Sequence, residues 1–436
     1  MSESAYTVGL YTLGCKVNQY ESEAIAEGFT ALGFLVQPPD RVCDIYIINT
    51  CTVTAESDRK ARQFIRRAIH KNPKAYILVT GCYAQVFPNE VAAIEGVDYV
   101  SGNAEKLSVI AAAQQLIKNG EKPSKPILNV PSPDEKGFEA MQITRFDRTR
   151  AYLKIEDGCE NRCAYCIIPS ARGKVRSKDP AEILREVRTL TENGCREIVL
   201  TGIETASFGK DLDGYSLADL LEEIDRIPNI GRIRLGSLDP SLMKQAFVDR
   251  IAKLKSLAPH FHLSMQSGSD AILARMKRKY NTKMARDGIA RLRAAIPGVQ
   301  FTTDMIVGFP GETDEDFEKT LDFAKEIGFL MIHVFPYSRR KGTEADQMKD
   351  QIPQEIKHQR VARFTQVAAQ IRASCLDKKV GCTDVLLIEG YQNGEIRGHT
   401  PDFCEVSIPS RRVPALDFLP IRILSHDGST CIGEPI

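Results

Sequence analysis

The sequence lacks what would send it into a membrane, out of the cell or into disorder. None of its apolar runs approaches the ~18 consecutive residues of a bilayer-spanning helix, so no membrane segment is expected. Its start, MSESAYTVGLYTLGC, has no basic stretch leading into an apolar one, so no secretory signal is expected and the expected location is cytoplasmic. It has no surplus of either charge. The 58 Lys and Arg face 57 Asp and Glu, a net charge of +1, which argues against a uniformly basic nucleic-acid binder and leaves only local basic patches. It has no internal repeat and no low-complexity tract. Hydrophobic residues at 43% and charged residues at 26% are ordinary globular proportions. At roughly 100–200 residues per domain, 436 residues suggest two to four domains.

Cysteine is abundant, with 12 in the chain. In a reducing compartment these should not pair as structural disulfides, so clustered ones point to metal, catalysis or simple burial. Their placement follows the secondary-structure pattern. Residues 1–118 alternate strand and helix signals: YTVGLYTLG, DIYIIN and YILVTG read as strands, and 20–32 and 55–70 as helices. That is the pattern of a parallel sheet covered by helices. Cys15, Cys51 and Cys82 each follow one of these strands, and open α/β sheets bind ligands at such strand ends.

Residues 119–145, rich in proline, lysine and glycine, read as a linker. A second α/β region, 146–374, offers six strand candidates, AYLKIED, REIVLTG, RIRLGS, HFHLSM, VQFTTDMIVG and LMIHVFPY, separated by helical stretches such as 179–192 and 313–327. Six β/α units make a partial barrel, two short of a closed eightfold one. Residues 313–316 (TDED) read as an N-cap with an acidic first turn. A long helix over 353–379 follows. In the last part, 375–436, the period changes to two, which suggests a small antiparallel β-barrel with a turn at Asn393-Gly394. The fold class is therefore α/β with three modules.

The strongest chemical signal is Asp157-Gly-Cys159-Glu-Asn-Arg-Cys163-Ala-Tyr165-Cys166. Three thiols on one loop suit soft metals or iron–sulfur clusters. The local set stops at three. Either a distant fourth ligand completes a structural zinc site, or a 4Fe-4S cluster leaves one iron open for a small molecule. Basic residues gather at 170–178, at 275–279, on the helix over 55–70 and at 339–341, and are candidates for a funnel guiding an RNA backbone.

In a partial β/α barrel, this cysteine loop resembles the radical S-adenosylmethionine (SAM) superfamily, with Tyr165 where that family places an aromatic residue. The segments LGCKVNQ, NTCTV and GCYAQ resemble the N-terminal domain of the methylthiotransferases. The resemblance implies two 4Fe-4S clusters: one on Cys159, Cys163 and Cys166 that holds and cleaves SAM, and an auxiliary one on Cys15, Cys51 and Cys82 that carries the sulfur to be inserted. It implies SAM contacts at Thr201, Glu204, Ser237, Gln266, Arg278 and Asp304, with no catalytic residue assigned beyond the clusters. The C-terminal module resembles a TRAM domain, a type that commonly binds tRNA. Residues 377–436, however, hold six Lys or Arg against nine Asp or Glu, a poor footprint for phosphate. YTLGCKVNQYES, NTCTVTAESD and GCENRCAYCIIPSARGK look most like the branch that methylthiolates N6-threonylcarbamoyladenosine at tRNA position 37. The alternatives are isopentenyladenosine in tRNA or a ribosomal-protein aspartate. Implied partners are the tRNA anticodon loop and an electron-donating reductant protein. The sequence does not fix the oligomeric state, and a monomer is the expectation.

Overall fold

The runs 45–50 and 76–81 begin with unbroken apolar stretches and are buried almost throughout because both their faces are covered, as in a buried parallel sheet. The structure is a computed structural model that describes residues 6–146, 149–410 and 417–436. In it these two runs lie at the centre of a six-stranded parallel sheet. The strand order is Leu35–Gln37, Thr7–Thr12, Ile45–Thr50, Tyr76–Gly81, Tyr99–Ser101, Ile127–Asn129. Val8, Ile45, Ile47 and Leu78 pack on one face against Ile25 and Phe29 of helix Lys16–Ala31. On the other face Ile48, Ile77 and Val79 pack against Ala61 and Ile65 of helix Ala55–Lys71. The proline-rich segment 119–145 is built into the structure. Ile127–Asn129 forms the sheet's edge strand, and Met141 and Ile143 are buried beside Tyr20.

The six expected barrel strands are present and parallel: Arg150–Lys154, Glu197–Thr201, Arg232–Leu235 continued by Ser237–Leu238, His260–Gln266, Gln300–Val307 and Met331–Pro336. The third strand breaks at Gly236. Its first half pairs back to Glu197–Thr201 and its second half pairs on to His260–Gln266, so three strands and four strands share one arc. The helix Asp314–Ile327 begins with the expected cap. Thr313 accepts from the Asp316 backbone while the Asp316 carboxylate accepts from the Thr313 backbone.

Side chains alternate across every barrel strand. Leu153, Leu200, Leu235, Leu263, Met265, Met305 and Val307 enter the hydrophobic core under the helices. Arg150, Glu197, Arg234, His260, His262, Asp304 and His333 therefore face the inner chamber.

The last module is a closed five-stranded barrel in the order Thr383–Gln392, Glu395–His399, Glu405–Pro409, Cys431–Pro435, Phe418–His426. Its first hairpin turns at Asn393 (φ +55°) and Gly394 (φ +80°), the two positive values a tight primed turn needs. Four pairings are antiparallel as expected, and Glu405–Pro409 runs parallel to Cys431–Pro435. Five strands cannot alternate in direction around a closed ring, so one neighbouring pair has to be parallel. This module packs beneath the chamber floor. Phe403 lies between the rings of His260 and His399, 4.6 Å from each, with the Arg234 guanidinium 4.8 Å from its centre.

Candidate functional site

Cys15, Cys51 and Cys82 come together because their strands, Thr7–Thr12, Ile45–Thr50 and Tyr76–Gly81, are immediate neighbours in the sheet. The chain leaves the first strand through Gly14 at φ +101° and the third through Gly81 at φ +99°, conformations that favour glycine. A Cβ on Gly14 would stand 2.7 Å from Cys51 Cβ and 2.8 Å from its Sγ. Gly14→Ala should therefore destabilise the apoprotein by about 1–3 kcal/mol through backbone strain and overpacking. It should also lower the iron bound after anaerobic reconstitution. A urea titration and an iron assay check both.

Burial, with Cys82 and Cys15 beside it, pushes the Cys51 thiol up to about 12. Burial also raises Cys15, with Arg172 opposing and Cys82 adding. On the barrel loop, burial pushes Cys166 up to about 12 and Cys159 up to about 11, with Cys163 adding in both cases. Arg278 Nη1 donates to Cys163 Sγ at 3.1 Å. Two groups of crowded free thiols fit sites where a bound metal displaces the proton and coordinates the thiolate. Among the described residues no three His, Cys, Asp or Glu side chains close tightly enough around one point for a single ion. Of the other six cysteines, Cys43, Cys195, Cys375, Cys404 and Cys431 are buried and Cys382 is exposed.

A fully buried charge network lies between the two trios. Arg172 donates to Glu21 (2.9 Å), to Asp157 (2.9 Å) and to the Asn18 side-chain oxygen (2.7 Å). Lys154 pairs with Glu21 at 2.8 Å and Asp157 at 2.6 Å, and Lys106 pairs with Glu21. Burial alone would raise Glu21, but Arg172, Lys106 and Lys154 hold it well below the usual carboxylate range. Asn18, Glu21 and Lys106 belong to the N-terminal sheet unit, whereas Lys154, Asp157 and Arg172 belong to the barrel. Asp157 stands two residues before Cys159, and Arg172 acts electrostatically on Cys15 and Cys82.

This network overturns part of the basic-funnel expectation. In the 170–178 run, Arg172 and Lys178 are completely buried, Lys178 on Glu186, Arg176 is partly buried, and of the four bases only Lys174 is exposed. Arg340 is buried on Asp58 at 2.7 Å. A long stem with a fixed charge can be spent on an internal carboxylate as readily as on solvent, and spacing alone does not tell the two apart. Arg59, Lys60, Arg66 and Arg67 do face solvent.

The expected SAM contacts ring the chamber mouth. Thr201 is buried at its strand end, and Ser237 begins the strand segment after the break. Gln266 holds φ +63° where its strand bulges. Tyr165 meets Phe309 edge-on, ring centres 6.4 Å apart. Arg278 is engaged by Asp239 at 3.0 Å as well as by Cys163. Asp304 lies deeper in the chamber, paired with His262 at 3.2 Å. Glu204 lines a cavity of about 350 Å³ with Asn161, Ser207, Lys210, Asp239 and Lys279.

One Glu204 carboxylate oxygen is buried without a partner, and burial, aided by Asp239, pushes its carboxyl up to about 7. A raised carboxyl keeps its proton in the folded chain after the unfolded chain has lost it. Its stabilising contribution is thus full below about pH 4.5 and is lost as pH rises through about 7. Metal-free Glu204→Gln should gain about 2–3 kcal/mol on the wild type between pH 5 and pH 8, read from urea midpoints at both values.

Sequence reasoning missed Glu21, Lys106 and Lys154, which carry no motif, and Lys16, which sits beside a cysteine that drew the attention. Solvent reaches Lys16, yet protein surrounds it. Burial first, then Arg234 and Arg150, lower its ammonium, while Asp304 opposes them.

Residues 153–324 match the family described as Radical SAM superfamily, and residues 7–102 the one described as Uncharacterized protein family UPF0004. The chain is 43% identical over 367 residues to the threonylcarbamoyladenosine tRNA methylthiotransferase MtaB of Bacillus subtilis, covering 84% of this chain and 81% of that protein. It is 37% identical to the Thermotoga maritima protein of the same name, covering 97% and 96%. Among solved structures it is similar to the radical S-adenosylmethionine methyltransferase TsrM of Kitasatospora setae, with TM-score 0.58 and 17% identity over 78% of this chain and 77% of that one. At that identity the likeness is one of fold.

Proposed function

The chain belongs to the radical SAM methylthiotransferase family, and on that premise we propose that it inserts a methylthio group at carbon 2 of N6-threonylcarbamoyladenosine, position 37 of tRNA. The observation that carries this reading is the pair of cysteine trios flanking one buried network, at the ends of a sheet and of a barrel. The matching names of two relatives aligned over most of their lengths support the substrate. We assign Cys159, Cys163 and Cys166 to the SAM-binding 4Fe-4S cluster and Cys15, Cys51 and Cys82 to a second one. When bound, the clusters would relay the reductant's electron and carry the sulfur, and SAM would supply the radical and the methyl group.

The chain's own residues hold and shield. Arg278 donates a hydrogen bond to Cys163 and is anchored by Asp239. Arg172 sets a fixed positive charge near Cys15 and Cys82. Tyr165, Thr201, Glu204, Ser237 and Gln266 surround the mouth where the methionyl and ribosyl parts of SAM would lie, and Asp304 lies deeper. The TRAM-like module is acidic, so the exposed arginines of helix Ala55–Lys71 are better placed than it is to meet phosphate. The target base must be unstacked to expose carbon 2, as an anticodon loop allows. A reductant protein, a monomeric state and a cytoplasmic site of action complete the proposal. Among the described residues no helix is long and apolar enough to cross a membrane.

The test is a comparison of tRNA nucleosides by mass spectrometry with and without the gene. The 2-methylthio derivative of N6-threonylcarbamoyladenosine should disappear and its precursor accumulate. Loss of methylthiolated isopentenyladenosine, or of a modified ribosomal-protein aspartate, would overturn the substrate assignment.

A further inference from the structure

Resting on that reading, we propose that Lys16, together with Arg234 and His260, forms an anion subsite in the barrel chamber that takes the carboxylate of the threonylcarbamoyl group. Lys16 opens helix Lys16–Ala31 directly after Cys15, so it carries a cation from the sheet unit toward the chamber of the barrel. It lies within electrostatic range of Arg150, Arg234 and Asp304, and among the described residues it makes no ion pair. The chamber floor is short of acceptors. Glu197 alone is shared by three guanidiniums, Arg234 at 2.8 Å, Arg150 at 3.3 Å and Arg232 at 3.6 Å. Of the other carboxylates, Glu389 pairs with Arg150 and Asp304 with His262.

Two nitrogens remain over, one a guanidinium donor and the other a ring nitrogen of His260. Arg234 Nη1 and His260 Nδ1 are buried without a partner, on side chains more than nine-tenths buried. A lysine without an ion pair above a buried guanidinium that keeps an unsatisfied donor favours an incoming anion. The threonylcarbamoyl substituent ends in a carboxylate, and an isopentenyl group has none. Carbon 2 and the N6 substituent flank the same ring nitrogen. A base presented to the Cys15 side therefore brings its substituent within reach of the next residue's ammonium. An uncharged substituent would leave the cations desolvated and unpaired, which is discrimination by an unmet charge rather than by shape. The carboxylate of SAM has the same chemistry, and the experiment separates the two.

Two anticodon stem-loops serve as probes: one carries N6-threonylcarbamoyladenosine, the other its carboxamide analogue. Their binding to the anaerobically reconstituted full-length protein is measured together with SAM binding. The wild type should bind the carboxylate form at least tenfold more tightly. Lys16→Gln should bring the ratio close to one, Lys16→Arg should keep most of it, and SAM affinity should change less than twofold. Any general loss of cluster or fold weakens both RNAs and leaves the ratio alone. A Lys16→Gln ratio equal to wild type overturns the subsite. So does a tenfold loss of SAM binding at an unchanged ratio, which would assign the site to SAM. A wild type that makes the methylthiolated product without any carboxylate preference also overturns the subsite alone. A wild type with neither preference nor product overturns the functional reading as well.

Discussion

Arg172→Ala should cost the protein on the order of 3–5 kcal/mol, because it strands buried charge. Its guanidinium satisfies Glu21, Asp157 and Asn18 at once, and all four residues are at most 3% exposed. Without it Lys106 stays on Glu21 and Lys154 still spans Glu21 and Asp157, but the two carboxylates lose one of their two bridges across the structural halves, and Asn18 loses its donor. Stability of a single domain is typically only about 5–15 kcal/mol, so a loss of this size should separate unfolding of the sheet unit from that of the barrel. Two transitions in urea and faster proteolysis between the halves are the expected readouts. Arg59→Ala, which breaks an exposed pair with Glu56, should show neither, because exposed pairs contribute little. A single unshifted transition for Arg172→Ala would mean that the network is incidental to the docking.

The second large effect is a split between two sets of cysteine variants. Alanine at Cys159, Cys163 or Cys166 should lower both reductive SAM cleavage and methylthiolation at least a thousandfold. Alanine at Cys15, Cys51 or Cys82 should leave SAM cleavage within a few-fold of wild type and abolish sulfur insertion. Iron content should fall by half in either set. Methylthiolated tRNA made by Cys15→Ala would remove the auxiliary cluster from the scheme.

Local signals carried most of the fold. The short β-branched apolar runs within IYIINT and YILVTG read as strands covered on both faces, and they lie at the centre of the first sheet. The change to a period of two near residue 383 marked the small barrel, and Asn393-Gly394 marked its first turn. Long-range geometry was not legible in the same way. Nothing near Arg172 announces that it will end against Glu21, 151 positions away in sequence, because a pairing of that kind is made by the docking of two units. The cysteine trio at positions 15, 51 and 82 was recoverable because equivalent strand ends are a topological statement. Lys16 was not, because a lysine after a helix start reads equally well as solvated surface. The Gly236 break, the edge strand Ile127–Asn129 and the parallel closure of the small barrel are likewise settled by what each segment meets.

The seat of Phe403 between His260 and His399 changes how a truncation experiment must be read. The terminal module is a stopper in the base of the catalytic vessel as well as an appendix. A chain cut after residue 377 would open that base, flood the shared Glu197 with water and release the guanidiniums it restrains. Such a protein would lose turnover even on a free nucleoside. Deleting the module therefore cannot report on RNA recognition, and surface charge reversals that leave Phe403 seated are the instrument for that question.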